Sequence, residues 1–94
     1  MGDETEVGAP SFEEKHLIAI MMYLAVNGAC RKIDIYRNVS SNPRIPEKLD
    51  RLEAMGLINQ APDKNLRSIL INLTPKGQTV AQKIIDLDAA IKGI

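Results

Sequence analysis

The apolar residues of this 94-residue chain change their spacing at Gly56 and change back at Thr74. Before Gly56 they recur every three or four residues, which is the period of a helix. Between the two positions, "LINQ" and "SILINL" have the composition of strands, and "APDKN" between them has the composition of a turn. The sequence therefore predicts a mainly α protein with one β-hairpin over residues 57–73, in the order helix, helix, helix, hairpin, helix.

The first predicted helix covers residues 12–27 and ends at Gly28, a residue type common at helix C-termini. Ser11 and Glu14 fit a capping box at its start. Its second half is apolar nearly all round, so we expect this helix to be buried on more than one side, partly by a second subunit. Residues 1–10 are polar and acidic without periodicity and are expected to form a disordered tail, which leaves 11–94 as a single domain.

A short second helix is predicted over residues 31–40, although it has no convincing N-cap. In the third helix, Ile45, Leu49 and Leu52 form an apolar stripe at helical spacing that is expected to face the core. Pro46 has no N–H group to donate, so it must lie near the first turn of that helix. The third helix therefore has a sharply defined start.

The last predicted helix covers residues 75–92, because Thr74 is a favourable N-cap and Pro75 suits the first helical position. Within it, Val80, Ile84, Leu87 and Ile91 form a second apolar stripe. A single 94-residue chain cannot cover both this stripe and the apolar first helix. We therefore expect a homodimer, with these interface residues: Phe12, Leu17, Ile20, Met21, Leu24, Val80, Ile84, Leu87 and Ile91.

Charge is unevenly distributed along the chain, although the formal net charge is zero. Residues 1–30 carry five acids and one lysine, a net charge of −4, whereas residues 31–76 carry nine lysine and arginine residues and five acids, a net charge of +4. Such local asymmetry favours a polyanionic partner for the central segment. The alternative is a solvated basic surface with no partner.

Several classes of protein do not fit this sequence. No apolar run approaches the roughly 18 residues needed to cross a membrane, and the acidic N-terminus does not resemble a secretory signal. The single cysteine, Cys30, excludes an internal disulfide, and a cytoplasmic location is expected. His16 is the only histidine, and there is no glycine-rich phosphate loop or metal-ligand cluster, so we predict a non-enzyme without cofactor or metal. A structural role is expected for His16 and an inert thiol for Cys30.

Two motifs and their order resemble a known family. "KLDRLEAMGLI" is similar to a recognition helix that leads into a wing, and "INLTPKG" is similar to the return strand of the wing and the start of the next helix. Over residues 12–91 the chain resembles winged helix-turn-helix proteins, both MarR-like and PadR-like regulators and small archaeal winged-helix proteins. The resemblance implies a dimeric transcription regulator that places its third helix in the major groove of double-stranded DNA and its wing on the backbone.

Candidate DNA contacts follow from the resemblance together with helical spacing. Arg44, Lys48 and Arg51 are displaced by one residue from the core stripe and are expected to face outward, with the two arginines on base edges. Phosphate contacts are assigned to Lys48, Lys64, Arg67 and Arg37, with neutral hydrogen bonds from Ser40, Ser41 and Asn42. Pro43 and Pro46 depart from the small polar residues that many relatives have at this helix start, which puts a backbone phosphate contact there in doubt.

The same residues also have interpretations that do not involve DNA binding. Glu47 and Arg51 are spaced to form a surface ion pair, and Asp50 and Glu53 reduce the positive field of the third helix. Tyr36 is expected to pack beside Ile35 more often than to reach a phosphate. The alternative function is therefore a winged-helix module that binds another protein.

Overall fold

The computed structural model describes residues 15–63, 65 and 68–93. The elements are, in chain order, α1 (Leu17–Asn27), β1 (Cys30–Arg31), α2 (Lys32–Asn38), α3 (Ile45–Ala54), β2 (Ile58–Asp63), β3 (Ser68–Leu73) and α4 (Pro75–Lys92). This confirms the predicted order of helices and hairpin and adds the short strand β1. Residues 61–63, predicted to be part of the turn, belong to β2 and pair with β3. No helix among the described residues has the length and apolar composition to cross a membrane.

Some of the predictions concern residues outside this description. They are the disordered tail over residues 1–10, the capping box of Ser11 and Glu14, the interface residue Phe12, and the phosphate contacts Lys64 and Arg67.

The three strands form one antiparallel sheet in the order β1-β3-β2. The hairpin register runs from Ile58 opposite Leu73 to Asp63 opposite Ser68. On the other edge of β3, Cys30 pairs with Ile71, next to a second pair formed by Arg31 and Leu70. A strand of two residues has too few positions to show an alternating pattern, which is why the sequence did not reveal β1.

One apolar core connects the helices to the sheet. Its buried side chains are Leu17, Ile20, Met21, Leu24, Cys30, Ile35, Ile45, Leu49, Leu52, Leu57, Ile58, Ile71 and Ala81. The predicted stripe of α3 is confirmed, since all three of its residues are fully buried. α3 is therefore fixed by its inner side, and its opposite side is turned to solvent.

The start of α1 differs from the prediction. The helix begins at Leu17, and the two residues before it form a turn. His16 has φ 75°, a left-handed conformation that residues other than glycine rarely adopt. A residue in this conformation interrupts a right-handed helix. The predicted end is confirmed: Gly28 has φ 78°, and its N–H donates to the Leu24 carbonyl at 2.8 Å.

α2 is shorter than predicted at both ends. Its first turn is held by Asp34, whose carboxylate accepts from the Arg31 backbone N–H at 3.0 Å. That hydrogen bond lowers the pKa of Asp34, and the nearby Arg31 charge adds to the effect. The Arg31 guanidinium also lies 3.6 Å from the same carboxylate. This acid supplies the cap that was not recognised in the sequence.

A proline turn leads into α3. The Ile45 N–H donates to the Asn42 carbonyl at 3.0 Å, which places Pro43 at the second position of the turn. Arg44, with φ −91° and ψ 4°, has the geometry of the third position of a type I turn. Pro46 is the second residue of the helix, where its missing N–H would have had no partner. The predicted sharp start of α3 is confirmed.

Candidate nucleic-acid interface

The outward side of α3 presents two arginines among three acids. Arg44, Glu47, Asp50, Arg51 and Glu53 are exposed. The Arg44 and Glu47 side chains are each 75% exposed, and their charged atoms lie 3.8 Å apart. An ion pair as exposed as this one contributes little to stability and is easily broken. Arg44 is therefore available to another anion.

Lys48 does not lie on the outward stripe where it was predicted. It is 8% exposed and belongs to the buried residues of α3. Lys48 lies three residues after position 45, and positions 49 and 52 lie four and seven residues after position 45. All four positions therefore share one side of the helix. The long aliphatic stem of lysine allows it to be covered at the margin of an apolar stripe. Its burial contradicts the outward placement on which the expected phosphate contact of Lys48 was based.

Two acids of α3 are held by the hairpin. The Gln60 side-chain amide nitrogen donates to Asp50 Oδ1 at 2.9 Å and to Glu53 Oε1 at 3.0 Å. The Gln60 backbone N–H also lies 3.4 Å from Glu53 Oε2. These contacts fix the two carboxylates beside β2, next to the stripe formed by Arg44, Glu47 and Arg51. Sequence reasoning missed this arrangement because it joins a helix to a strand.

The polar residues before α3 are used mainly to build its start. Ser40 Oγ accepts from the Asn42 backbone N–H at 3.1 Å, and Asn42 Oδ1 accepts from the Arg44 backbone N–H at 2.8 Å. Ser41 is exposed, as is Arg37 near the end of α2. Ser41 and Arg37 are therefore the residues of this region that present accessible side chains, while Ser40 and Asn42 shape the turn.

Cys30 and Tyr36 have structural surroundings. Burial, together with the nearby Asp34 charge, raises the pKa of Cys30 to about 11. Its thiol is therefore protonated at neutral pH, whereas the thiolate is the reactive form. Tyr36 is half-buried and packs against the core, as the interpretation without DNA binding predicted. Among the residues that the structure describes, no group of three histidine, cysteine, aspartate or glutamate side chains is placed to hold a metal ion.

The predicted dimer residues fall into two groups. The four on α1 (Leu17, Ile20, Met21 and Leu24) are at most 1% exposed within a single chain. A side chain that its own chain covers completely has no surface left for a partner, so the structure contradicts their assignment to an interface. On α4, Val80 and Ile84 are half-buried against the core, while Leu87 is 57% and Ile91 76% exposed.

The opposite face of α1 was missed. Ile18, Met22 and Val26 recur every four residues on this face, and Val26 is 74% exposed. Since α1 is apolar nearly all round, its sequence did not show which face would be buried. This face, which we call the outer face of α1, is the apolar surface that the helix offers to solvent.

The arrangement of three helices, a hairpin and a final helix is shared with two solved structures. A double mutant of Lactococcus lactis ZitR in its apo form has a TM-score of 0.74 and 23% identity, over 87% of this chain and 63% of that one. Disulfide-formed AbfR has a TM-score of 0.64 and 23% identity, over 82% of this chain and 55% of that one. Both are winged-helix transcription regulators. The chain has a winged-helix fold.

This protein spans less than two thirds of the length of either regulator. No protein-family model and no curated protein matches its sequence. In the winged-helix fold, β2 and β3 form the wing, and α3 is the helix that precedes it. At this level of identity the likeness establishes the fold, and the function has to be argued from the residues themselves.

Proposed function

We propose that this winged-helix protein is a transcription regulator that binds double-stranded DNA, with α3 in the major groove. The observation that carries the proposal is the pair Arg44 and Arg51, both exposed at the outward side of a helix whose inner side is anchored in the core. They are seven residues apart, which is two helical turns or about 10 Å along the axis. Structural likeness to two transcription regulators supports the same proposal.

This geometry suits the chemistry of base recognition. The major groove of B-DNA is about 12 Å wide and admits one helix, and an arginine can donate two hydrogen bonds to guanine O6 and N7. Arg51 is exposed on the outward side and is proposed to contact a base edge. Arg44 precedes the helix and can exchange its exposed partner Glu47 for a base or a phosphate. Each arginine would add a charge-assisted contact to the complex.

Contacts to the DNA backbone are proposed for residues that come before and after α3 in the sequence. Lys64 and Arg67 belong to the connection between the wing strands and are proposed phosphate contacts there. Arg37 is exposed at the end of α2 and is a third candidate. Such contacts set the register of the protein on the duplex and make its affinity depend on salt.

The dimer is also a proposal, and its surface is redrawn by the burial of the α1 residues. Leu87 and Ile91 remain exposed on α4, and the outer face of α1 adds Ile18, Met22 and Val26. We propose that a second copy covers these apolar residues. A symmetric dimer would present two copies of α3 to half-sites about 34 Å apart, one turn of DNA.

A salt series tests DNA binding directly. Affinity for a mixed-sequence duplex is measured from low to high salt, and the logarithm of the binding constant is plotted against the logarithm of salt concentration. A slope of about −0.9 for each neutralised phosphate is expected for DNA binding. Absence of salt-dependent binding to any duplex would refute the proposal.

A second candidate function is binding to another protein. The observation that favours it is the excess of acids on the exposed side of α3, where Gln60 fixes Asp50 and Glu53. Fixed carboxylates repel phosphate and would suit a basic partner surface instead. This function becomes the leading one if the salt series shows no duplex binding.

A further inference from the structure

The end of α3 is closed by a Schellman motif. The Leu57 N–H donates to the Leu52 carbonyl at 3.0 Å, and the Gly56 N–H donates to the Glu53 carbonyl at 2.9 Å. Gly56 has φ 78°, the left-handed conformation that this motif requires. The motif satisfies carbonyls inside the helix. The carbonyls of residues 55–57, just after the end of the helix, need donors from elsewhere.

All three of those carbonyls receive a donor from the start of α4. Lys76 Nζ donates to the Met55 carbonyl at 3.0 Å, and Thr74 Oγ1 donates to the Gly56 carbonyl at 2.6 Å. The Thr74 backbone N–H donates to the Leu57 carbonyl at 3.0 Å. Residues 55–57 and 74–77 thus form one hydrogen-bonded unit, which we call the joint.

Close packing makes the joint sensitive to small changes. Gly77 is buried, and a Cβ atom placed on it would lie 1.9 Å from the Leu57 carbonyl oxygen, which is an impossible contact. Thr74 Oγ1 also accepts from the Gly77 N–H at 2.9 Å, so one hydroxyl both caps α4 and binds Gly56, just after the end of α3. At this place the backbone of α4 lies directly against the segment that leads from α3 into β2.

The contact of Lys76 with the end of α3 explains why a lysine occupies this position, whereas its place in α4 does not. It is the second residue of α4, where a positive charge opposes the helix dipole. The same ammonium lies against the C-terminal end of α3, where the dipole favours a cation. Its charge therefore stabilises the contact between the two helices at a cost to its own helix.

Both elements of the candidate DNA surface pass through the joint. α3 continues through residues 55–57 into β2, and β3 continues through Thr74 into α4. We propose that Lys76 is a positioning residue, which fixes the angle between α3 and the wing for duplex binding without touching the DNA. The proposal rests on the proposed DNA-binding function and extends it to a residue outside the candidate interface.

The experiment compares three variants with the wild-type chain. Lys76→Met keeps an aliphatic stem and removes the donor, Lys76→Arg keeps charge and donors, and Lys83→Met removes the same charge from an exposed position of α4. Lys76→Met is expected to weaken duplex binding by about three- to tenfold, as is typical of residues that couple without contacting a ligand. Lys76→Arg and Lys83→Met should bind within about twofold of the wild type.

Two further readouts separate positioning from contact. If Lys76 does not touch phosphate, the salt slope of Lys76→Met stays at the wild-type value, whereas loss of a phosphate contact reduces its magnitude by about one. In the DNA-free protein, amide hydrogen exchange of Leu57 should be faster in Lys76→Met and unchanged in the other two variants. A reduced slope, or wild-type affinity of Lys76→Met, overturns the positioning role.

The failure of the proposed function would look different. If the wild-type chain binds no duplex at any salt concentration, DNA binding is refuted together with the role of Lys76 in it. The exchange of the Leu57 amide then still decides whether Lys76 holds α3 and the wing together. Wild-type exchange in Lys76→Met would overturn that part as well.

Discussion

α1 and α3 line the same core, but their sequences define their orientation to different degrees. In α3, three apolar residues form one stripe among charged residues, and the structure buries that stripe completely. α1 has no charged residue between Leu17 and Asn27, so any of its faces could have met the core. An amphipathic helix is oriented by its sequence, whereas a uniformly apolar helix is oriented only by its neighbours.

The difference extends to function. The exposed side of α3 is charged and carries the two arginines proposed to contact DNA, while the outer face of α1 is apolar and is suited to another apolar surface. The proposed functions divide in the same way, with DNA binding proposed for α3 and self-association for α1 with the end of α4. The following predictions test this division.

The largest expected effect comes from the core faces of the two helices. Ile20→Ala in α1 and Leu49→Ala in α3 should each lower the free energy of unfolding by about 2–5 kcal/mol, because both remove a fully buried side chain. Urea denaturation at low protein concentration measures the change. A loss below about 0.5 kcal/mol for Ile20→Ala would mean that this face of α1 is not in the core of a single chain.

The same contrast between α1 and α3 shows how much of the structure could be predicted from the sequence. The α3 stripe, the proline start, the hairpin and the Thr74 cap each have a local signal, and the structure confirms them: Thr74 Oγ1 accepts from the Gly77 N–H at 2.9 Å. The left-handed conformation of His16 has no such signal, and the burial of Lys48 at the margin of the α3 stripe was not inferred from its spacing.

The candidate site is less predictable than the fold because its contacts join distant segments. Gln60 binds Asp50 and Glu53 across the step from α3 to β2, and Lys76 reaches Met55 from α4. Neither contact follows from the spacing of residues within one element. The exposure of Arg44 and Arg51 was predicted from their displacement by one residue from the α3 stripe, and the same displacement gave a wrong prediction for Lys48.

The next effect concerns sequence recognition by α3. Arg51→Ala should reduce the difference in affinity between the preferred duplex and a mismatched one by about 1–3 kcal/mol, the contribution of a good arginine–guanine pair. Lys83→Ala, which removes the same charge from the exposed surface of α4, should leave this difference unchanged. Competition binding with duplexes that differ at single base pairs provides the measurement. Equal discrimination by Arg51→Ala and the wild type would exclude Arg51 from base recognition.

A somewhat smaller effect is expected at the outer face of α1. Val26→Glu should weaken self-association by about tenfold or more, since a buried valine contributes roughly 1.5 kcal/mol and a carboxylate would have to be desolvated. Asn59→Glu, at an exposed position of β2, is the matched control. Sedimentation equilibrium reports both. An unchanged dimer constant for Val26→Glu would remove α1 from the interface.

The smallest effect is expected at the exposed ion pair. Glu47→Gln should change the free energy of unfolding by no more than about 0.5 kcal/mol, because the pair with Arg44 is largely solvated. The same variant should bind duplex DNA slightly more tightly, since it frees Arg44 and removes a negative charge from the proposed interface. Weaker duplex binding by Glu47→Gln would show that Glu47 itself contacts the DNA.

The most direct test of the division between the two helices is an NMR titration of the wild-type protein with a short duplex. Backbone amide shifts are expected to change most at Arg44, Glu47 and Arg51. Ile18 and Val26 on the outer face of α1 are expected to keep their shifts. Protein concentration is held high enough that the oligomeric state does not change during the titration. The account is contradicted if the largest changes occur on α1, or if α3 does not respond to saturating duplex.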